Sequence, residues 1–536
     1  MSTEKKISGI GLLKSSVGVA LATLASRILG LLRVRLEAMV LGGGEMASSW
    51  FLAFAIPNLL RRILGEGALG NALMPIVSEI DVKEGRERVK QELGTVFFVL
   101  GLLLAAIVTL AAVIALLLGN LECFQNISFF ATPRMRFMLK LLPLLMPYGF
   151  FMCLVGVAGC VLNYCKEFVL PALGALLLNI FLISGLAAAY YFHVKDIAEV
   201  INILAYLVLV SGFVQLIFMF LLLRKNHSFP IFKNSITFKS FKSETVKKLF
   251  SIAFPGMIGG VALQVSFLID RMLAISLGAQ AVPALTYVDR LIDLPTGIFA
   301  VSLGSVLMSS MSRSAANGDM ESFANDLEFS IRHVFFFCVP MAVGVIFFYN
   351  LLMSVLCLGG RYTVNDLYAA EMVAFFYGAG IPVFCLVKVL VPAFNSRKKM
   401  KTTLYASLCA IVLNIILNLI LMHPMKQAGI ALATLVSSTV NCAILLVLLR
   451  REKLFCSFGK SIAVFLRSSA ISVLSYWLVT TIVPQTKYIT PDWNKATMLL
   501  CVCGVLFSGF YFGLSAVVKA PEIKEVVSIF RRRKIR

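Results

Sequence analysis

Charged residues are scarce in this sequence, and their scarcity argues against a water-soluble protein. Only 14% of the 536 residues are Asp, Glu, Lys or Arg, whereas 59% are hydrophobic. Soluble globular proteins carry roughly 25% charged residues. The longest polar stretch, at residues 224–248, is long enough for a loop but too short for a domain that folds in water. The composition therefore indicates a membrane protein.

Signatures of metal sites, disulfides and catalytic sites are also missing. The twelve cysteines form no Cys-x-x-Cys pair, and most lie in apolar stretches, where a free thiol behaves as a small hydrophobe. The four histidines have no metal-ligand spacing, and no Ser/His/Asp arrangement is evident. A Gly-x-Gly-x-x-Gly match at 65–70 lacks the preceding strand that a dinucleotide site needs. We therefore expect a protein that is not an enzyme and has neither metal nor cofactor.

Acidic residues are outnumbered by basic ones, 27 to 49, which gives a formal net charge of +22. The basic residues are spread over the connections between apolar stretches rather than gathered in one domain. This distribution disfavours nucleic-acid binding. It favours contact with anionic membrane lipids, worth about 1 kcal/mol for each basic residue near the surface.

Fourteen apolar stretches are long enough to cross a membrane, because about 20 apolar residues span a hydrocarbon core of ~30 Å. They predict an all-α fold. The first stretch is interrupted by Arg27 and Arg33, so we expect it to remain as a helix and not to be a cleaved signal segment. The predicted spans are 12–41, 46–79, 92–119, 137–163, 168–192, 198–223, 248–277, 281–311, 330–357, 367–394, 402–422, 428–449, 461–484 and 496–519.

The basic residues concentrate in alternate connections, as the positive-inside rule requires of loops that face the cytoplasm. With the N-terminus inside, the connections after the second, sixth, tenth and twelfth spans are the most basic, and the tail at 531–536 also falls inside. The pattern predicts that both termini are cytoplasmic.

A weak internal repeat at an offset near 240 suggests two halves of six helices. Residues 18–21 (Gly-Val-Ala-Leu) recur at 260–263, and the Ile-Pro at 56–57 is echoed by Leu-Pro at 294–295. An even number of helices makes the halves parallel, related by a pseudo-two-fold axis along the membrane normal. The predicted parts are an N-terminal lobe (1–225), a cytoplasmic linker (226–247), a C-terminal lobe (248–450), two further helices (451–520) and a basic cytoplasmic tail (521–536).

Arginines inside the first predicted span indicate a polar site. A central arginine costs ~2.5–3.5 kcal/mol on insertion scales unless it faces a partner or a water-filled cavity. Arg27 and Arg33 are six residues apart, about 120° around a helix, so they can line one broad cavity. Gly30 lies between them and permits a bend.

The second and eighth spans carry further arginines. Arg62 and Glu66 are spaced i,i+4 for an ion pair, which leaves Arg61 as the better ligand contact. Pro57 makes this helix prone to kinking. Together with Arg290, these arginines predict a cavity for an anion, since the guanidinium fork suits phosphate or carboxylate. Other ionisable residues within spans include Arg35, Glu37, Asp270, Arg271, Asp289, Asp293, Glu371 and Lys388, of which Arg35 and Lys388 can instead reach an interface.

Residue blocks at these positions resemble the MurJ (MviN) lipid II flippases. The resemblance covers nearly the whole chain and implies a fourteen-helix member of the multidrug/oligosaccharidyl-lipid/polysaccharide exporter superfamily in the bacterial cytoplasmic membrane. The blocks are 26–33 (Ser-Arg-Ile-Leu-Gly-Leu-Leu-Arg), 51–62 (Phe-Leu-Ala-Phe-Ala-Ile-Pro-Asn-Leu-Leu-Arg-Arg), 66–68 (Glu-Gly-Ala), 287–291 (Tyr-Val-Asp-Arg-Leu), 294–297 (Leu-Pro-Thr-Gly) and 387–394 (Val-Lys-Val-Leu-Val-Pro-Ala-Phe).

The resemblance implies a substrate and its contacts. The substrate would be lipid II, the undecaprenyl-diphosphate-linked disaccharide pentapeptide, moved from the inner to the outer leaflet by alternating access. By motif position, Arg27, Arg33, Arg61 and Arg290 would bind its diphosphate-sugar head. The thirteenth and fourteenth spans would form a groove for its polyprenyl tail. Gly30 and Pro57 are the candidate hinges, and supporting or gating roles are expected for Ser26, Arg62, Glu66, Asp289, Asp270 and Lys388.

The sequence departs from the family pattern at two places where an acidic residue is frequent. Val34 follows the second arginine of the first block, and Ser49 precedes the second block. Both changes make the first-half cavity more positive. Lys388 also obscures any pattern for a coupling ion, so the energy source stays open.

Three other interpretations remain open from the sequence. The same fold can export another polyprenyl-linked glycan or a drug, although a cationic drug requires more acids than this cavity offers. A membrane-embedded transferase requires a cluster of acids or metal ligands at one membrane face. A scaffold for cell-wall assembly proteins would use the basic loops.

Overall fold

The computed structural model describes residues 9–65, 68–121, 130, 132–232, 237–397, 399–452, 454 and 458–525. Within these residues every named element is helical, and the extended backbone pairing is limited to an isolated bridge between Gly359 and Tyr362. The all-α prediction is therefore confirmed.

Residue contacts divide the chain into two compact units, Met1–Ala279 and Gln280–Arg536. The helix of the seventh predicted span packs against the second-span helices of the first unit, whereas the sequence prediction begins the C-terminal lobe at residue 248. The elements of the first unit are α1 (Gly9–Leu41), α2 (Glu45–Leu60), a π-helical turn (Arg61–Gly65), α3 (Ala68–Glu84), α4 (Arg86–Asn120), α5 (Pro133–Tyr164), α6 (Val169–Tyr191), α7 (Ile197–Lys225), a 3₁₀ turn (Phe238–Lys242) and α8 (Glu244–Leu277).

The second unit has two breaks that the sequence partly anticipates. The predicted span at 330–357 is divided into a long and a short helix. The predicted spans at 402–422 and 428–449 are two helices, numbered together as α13, that are separated by a kink at Lys426, where the backbone is non-helical with φ of 50° and ψ of −132°. The elements are α9 (Ala281–Ala316), α10 (Met320–Phe347), α11 (Tyr349–Leu356), α12 (Val364–Asn395), α13 (Met400–Arg451), α14 (Phe458–Ile482), a 3₁₀ turn (Pro484–Lys487) and α15 (Trp493–Val517).

Local sequence explains several of these limits. Gly85 separates α3 from α4 with φ of 81°, a left-handed conformation that glycine adopts without strain. α12 begins with a capping box, in which the Thr363 hydroxyl accepts from the Asp366 backbone N–H and the Asp366 carboxylate accepts from the Thr363 backbone N–H. Close approach shapes the kink in α13, because a Cβ added to Gly429 would lie 2.2 Å from the Leu421 carbonyl oxygen.

The apolar helices confirm a multi-pass membrane protein. In the part of the chain that the structure describes, nine helices are long and apolar enough to cross a membrane, and α13 among them contains two predicted spans. Large apolar side chains such as Leu110 on α4 and Ile420 on α13 are exposed, as expected of surfaces that face lipid. The number of fourteen spans stays a prediction.

Candidate functional site

The two arginines of α1 lie in different environments. Arg27 is half-buried, whereas Arg33 is buried with 8% exposure. Nη1 of Arg33 donates a hydrogen bond to Oδ1 of Asn179 on α6 at 3.1 Å, and its Nε lies 3.6 Å from Oε1 of Glu37. The amide of Asn179 also donates to the backbone carbonyl of Ser26 at 3.4 Å. Arg33 therefore joins α1 to α6, and this contact stabilises its charge inside the protein.

The second predicted span is interrupted at its arginines. Pro57 has no N–H to continue the hydrogen bonding of α2, and the chain widens into the π-helical turn that begins at Arg61. Arg62 is exposed, and its Nη1 donates to Oε1 of Gln264 on α8 at 3.3 Å. Glu66, the partner predicted from α-helical spacing, lies outside the described residues. The pairing of Arg62 with Glu66 therefore stays a prediction.

Helix α5 fixes the backbone on which Arg61 stands. A Cβ added to Gly149 would lie 3.3 Å from the Pro57 carbonyl oxygen, so this glycine permits a close approach of α5 to α2. One turn further along α5, Sγ of Cys153 donates to the Leu60 carbonyl oxygen at 3.5 Å. The half-buried Arg61 side chain thus extends from a backbone held on one side by packing.

At the two positions where the resemblance implies a frequent acidic residue, this chain has buried and neutral side chains. Val34 is 2% exposed and lies next to the Arg33 contact. Ser49 is fully buried, and its hydroxyl donates to the Arg134 carbonyl oxygen at the start of α5 at 2.8 Å. The side chain at residue 49 is therefore a neutral hydroxyl whose hydrogen bond is made to the backbone.

The charged pair of α8 is also buried. Asp270 is 7% exposed and Arg271 is 3% exposed. The Arg271 guanidinium lies 4.7 Å from the centre of the Phe267 ring, a cation–π distance. Of these two residues, Asp270 was predicted to have a supporting role, and the structure places it inside the first unit.

The candidates in the second unit are more accessible. Arg290 lies on α9 with 39% of its side chain exposed, and its Nη1 is 3.8 Å from Oδ2 of Asp293, itself 65% exposed. An exposed pair at that distance contributes little. Asp289 is half-buried, and Lys388 on α12 is exposed. The structure thus pairs Arg290 with Asp293, which the sequence did not predict.

The sequence prediction missed a buried ion cluster in the second unit. Glu522, in a helical segment at 521–525, is fully buried and contacts Arg467 of α14 and Arg332 of α10, the latter at 3.7 Å. Glu525 lies 3.3 Å from Arg332 and 3.4 Å from Nε2 of His333. The sequence feature that could have indicated this cluster is the pair of acids Glu522 and Glu525 after the last predicted span. Their partners, however, are remote in sequence.

A second ion cluster links the ends of α12 and α13. Glu452 accepts hydrogen bonds from Lys399, at 2.6 Å, and from Arg397. Burial raises the pKa of the Glu452 carboxyl, but the two hydrogen bonds together with the positive charges of Lys399 and Arg397 lower it by more, so that the pKa lies below its ordinary value. This carboxylate lies just beyond a predicted span.

No metal site is found among the residues that the structure describes, where no group of three or more His, Cys, Asp or Glu side chains converges. The arginines, hydroxyls and amides of the candidate site suit hydrogen bonding to an anion.

Comparison with known proteins places the chain in a family. The family model described as "Lipid II flippase MurJ" matches residues 38–504. A probable lipid II flippase MurJ of Vibrio cholerae is 30% identical over 446 residues, which cover 81% of this chain and 82% of the relative. One from Rhizobium tropici is 31% identical over 471 residues, 86% of each chain. The lipid II flippase MurJ of Burkholderia cenocepacia is 26% identical over 518 residues, 94% of this chain and 97% of the relative.

Solved structures show the same fold. A lipid II flippase MurJ in an inward closed conformation aligns with a TM-score of 0.74 and 24% identity, covering 97% of this chain and 99% of the other. An inward-facing multidrug transporter of the MATE family and MOP superfamily aligns with a TM-score of 0.63 and 13% identity, covering 81% of this chain and 98% of the other. The matching family model covers most of the chain, and the Vibrio cholerae and Rhizobium tropici relatives are at least 30% identical over more than two thirds of it. The chain therefore belongs to the lipid II flippase MurJ family.

Proposed function

We propose that this protein moves lipid II from the inner to the outer leaflet of the bacterial cytoplasmic membrane, by alternating access with a central cationic cavity. The observation that carries the proposal is the family match over residues 38–504. The relatives are named as lipid II flippases, and one related structure as an inward closed conformation.

The arginines supply the chemistry that the cargo needs. A diphosphate entering a shielded cavity loses its hydration, and several guanidinium groups can offset that loss because charge interactions strengthen as water is excluded. Arg27 and Arg61 are half-buried in the first unit, and in the second unit the described pair of Arg290 with Asp293 is exposed and weak. These three are the proposed primary contacts of the head group.

Arg33 has a different proposed role. Its guanidinium already contacts Asn179 and Glu37, so it can bind the head group only by leaving these partners. We place it in the substrate set as the arginine whose contacts change between conformations. Ser26 shares the Asn179 amide and would sense the same change.

The other supporting residues are assigned by the resemblance and by their placement. Arg62 contacts α8 through Gln264, and Asp270 is buried on α8, so both are suited to control that helix. The remaining proposed supporting or gating residues are Glu66, Asp289 and Lys388.

A leaflet-resolved transport assay tests the arginine assignment. Full-length protein reconstituted in vesicles would be compared with Arg61→Ala and Arg290→Ala. Loss of hydrogen bonds to a charged group of ~1.5–3 kcal/mol predicts a fall in transport of roughly tenfold or more. Arg313→Ala is a matched control, since Arg313 is an exposed arginine in the last turn of the helix that carries Arg290. Wild-type transport by both variants, with normal folding, would remove the cavity assignment.

Depletion of the protein in cells distinguishes the alternative interpretations. A lipid II flippase causes precursor to accumulate on the inner leaflet. An exporter of another polyprenyl-linked glycan or of a drug leaves lipid II distributed as before, and a scaffold reduces cell-wall assembly without trapping precursor inside. Measurement with and without a membrane potential would also indicate the energy source.

Substitution tests whether a proposed hinge residue bends during transport or is simply part of a regular helix. α1 runs unbroken through Gly30, and no described atom lies within 4 Å of a Cβ added there, so Gly30→Ala fits without a clash. Alanine stabilises the interior of a helix by about 0.5–1 kcal/mol relative to glycine. If Gly30 is a hinge, the variant transports more slowly while its melting temperature is kept or raised. At Pro57, the following π turn already provides the irregular backbone that a hinge uses.

A further inference from the structure

An apolar groove of about 390 Å³ lies at the end of α7. Four of its lining residues are on α7 at spacings of three, four and seven residues, so they share one helix face. That helix is long and apolar enough to cross a membrane, and Leu221 in the groove is 59% exposed. The lining residues are Ile217, Phe220, Leu221, Arg224 and Phe229.

The groove is preformed by packing. The Phe220 ring lies 5.6 Å from Phe97 of α4 and 5.8 Å from Phe229, measured between ring centres. The segment that carries Phe229 is held against α4 by a hydrogen bond of 2.9 Å from the Ile231 backbone N–H to the Lys90 carbonyl oxygen. A ligand therefore need not order this wall of the groove on binding.

One end of the groove is cationic. Arg224 and Lys225 lie in the last turn of α7, and both side chains are exposed. The five lining residues include Arg224 but no carboxylate. The predicted topology places this end at the cytoplasmic surface, at the depth of the inner-leaflet head groups.

We propose that the groove binds an anionic glycerophospholipid of the inner leaflet. Its phosphate contacts Arg224, with Lys225 beside it, and one acyl chain lies along Ile217, Phe220 and Leu221. A membrane span presents this apolar face to hydrocarbon, where a soluble protein partner has no access. The volume falls within the ~300–1,000 Å³ of small-ligand sites. The site adds a bound lipid to the proposed function and does not depend on lipid II as cargo.

Native mass spectrometry of delipidated full-length protein tests the site. Phosphatidylglycerol is titrated against the wild type, Arg224→Gln and Arg224→Gln/Lys225→Gln. One basic residue near anionic lipid changes affinity by about fivefold, so we expect weakening of about fivefold and then further weakening in the double variant. Arg451→Gln is the matched control, because Arg451 is an exposed arginine in the last turn of α13. It should retain the wild-type affinity.

A second variant tests the apolar part of the groove. Ile217→Trp fills the groove from the lipid-facing side and keeps both cations, and it should weaken binding to a similar extent. Equal loss in Arg451→Gln, or no loss in Arg224→Gln, would overturn the site. Equal affinity for phosphatidylethanolamine would overturn the choice of an anionic lipid. Retention of a polyprenyl diphosphate in place of phospholipid would overturn the proposal that a glycerophospholipid is the bound ligand. Binding is measured without transport, so these failures leave the flippase proposal standing.

Discussion

The contact between Arg33, Glu37 and Asn179 predicts that stability and transport respond differently to the two arginines of α1. The proposed change is Glu37→Gln, which removes the negative charge but keeps a similar shape. The side chains of Arg33 and Glu37 are only 9% and 6% exposed, so the positive charge would remain buried after losing the opposite charge of Glu37. We expect lower stability of the first unit.

The geometry sets the size of the effect. Two unit charges 3.6 Å apart attract by ~5 kcal/mol at an effective dielectric constant of 20, before desolvation is counted. Removing one partner of a buried pair costs ~3–5 kcal/mol. Asn179 still accepts a hydrogen bond from Arg33 in this variant. We therefore expect the free energy of unfolding to fall by about 2–3 kcal/mol, at or just below the lower end of that range. At roughly 2 °C per kcal/mol for a unit of this size, the melting temperature should fall by roughly 4–6 °C.

Tryptophan fluorescence can follow this unit alone. Trp50 is fully buried in the first unit, whereas Trp477 and Trp493 are exposed in the second. Thermal unfolding in a Trp477→Phe/Trp493→Phe background therefore reports on the surroundings of Trp50. The matched comparison is Arg27→Ala, which should reduce transport and leave the melting temperature nearly unchanged. An unaltered melting temperature for Glu37→Gln would refute the reasoning.

Three further predictions concern the second unit. Glu522→Gln should cost ~3–5 kcal/mol, because two arginines lose a fully buried partner, and a large fall in melting temperature would show it. Gly429→Ala should lower the free energy of unfolding by an amount in the upper part of the ~1–3 kcal/mol range or more, because its Cβ would meet a backbone carbonyl oxygen. Wild-type expression and melting temperature would contradict this. The lowered pKa of Glu452 adds stability that is complete above its ordinary pKa of about 4.3 and is lost as the pH falls through the lowered value. Melting scans should therefore show a smaller acid-induced loss in Glu452→Gln than in the wild type.

The sequence predicted the helices well, because long apolar stretches leave few alternatives in a membrane. The predicted limits of 168–192 and 198–223 lie within two residues of the observed helices α6 and α7. The span 46–79 begins within one residue of α2, but the structure divides it at a π turn. Hydropathy reports that a stretch crosses the membrane, but it is insensitive to one extra residue in a turn.

The partners of the candidate arginines were harder to predict. Asn179 and Gln264 are neutral residues far away in sequence, and nothing in their local context marks them as arginine contacts. The i,i+4 pair of Arg33 and Glu37 lies on one helix and could have been found from charge spacing, but we applied that rule only to Arg62 and Glu66. Contacts between helices depend on which faces pack together, and residue spacing along a single sequence does not reveal which faces those are.

The π turn at Arg61–Gly65 has a consequence for protein engineering and for the alignment of relatives. Such a turn holds roughly one more residue than an α-helical turn would, and therefore behaves as an insertion within the helix. Deleting Ile63 should let the backbone close into ordinary α-helix with little rotation of the faces on either side, because the wider turn had taken up the extra residue. A one-residue gap here is therefore compatible with unchanged neighbours on both sides, whereas the same gap in a regular α-helix would turn one side by about 100°.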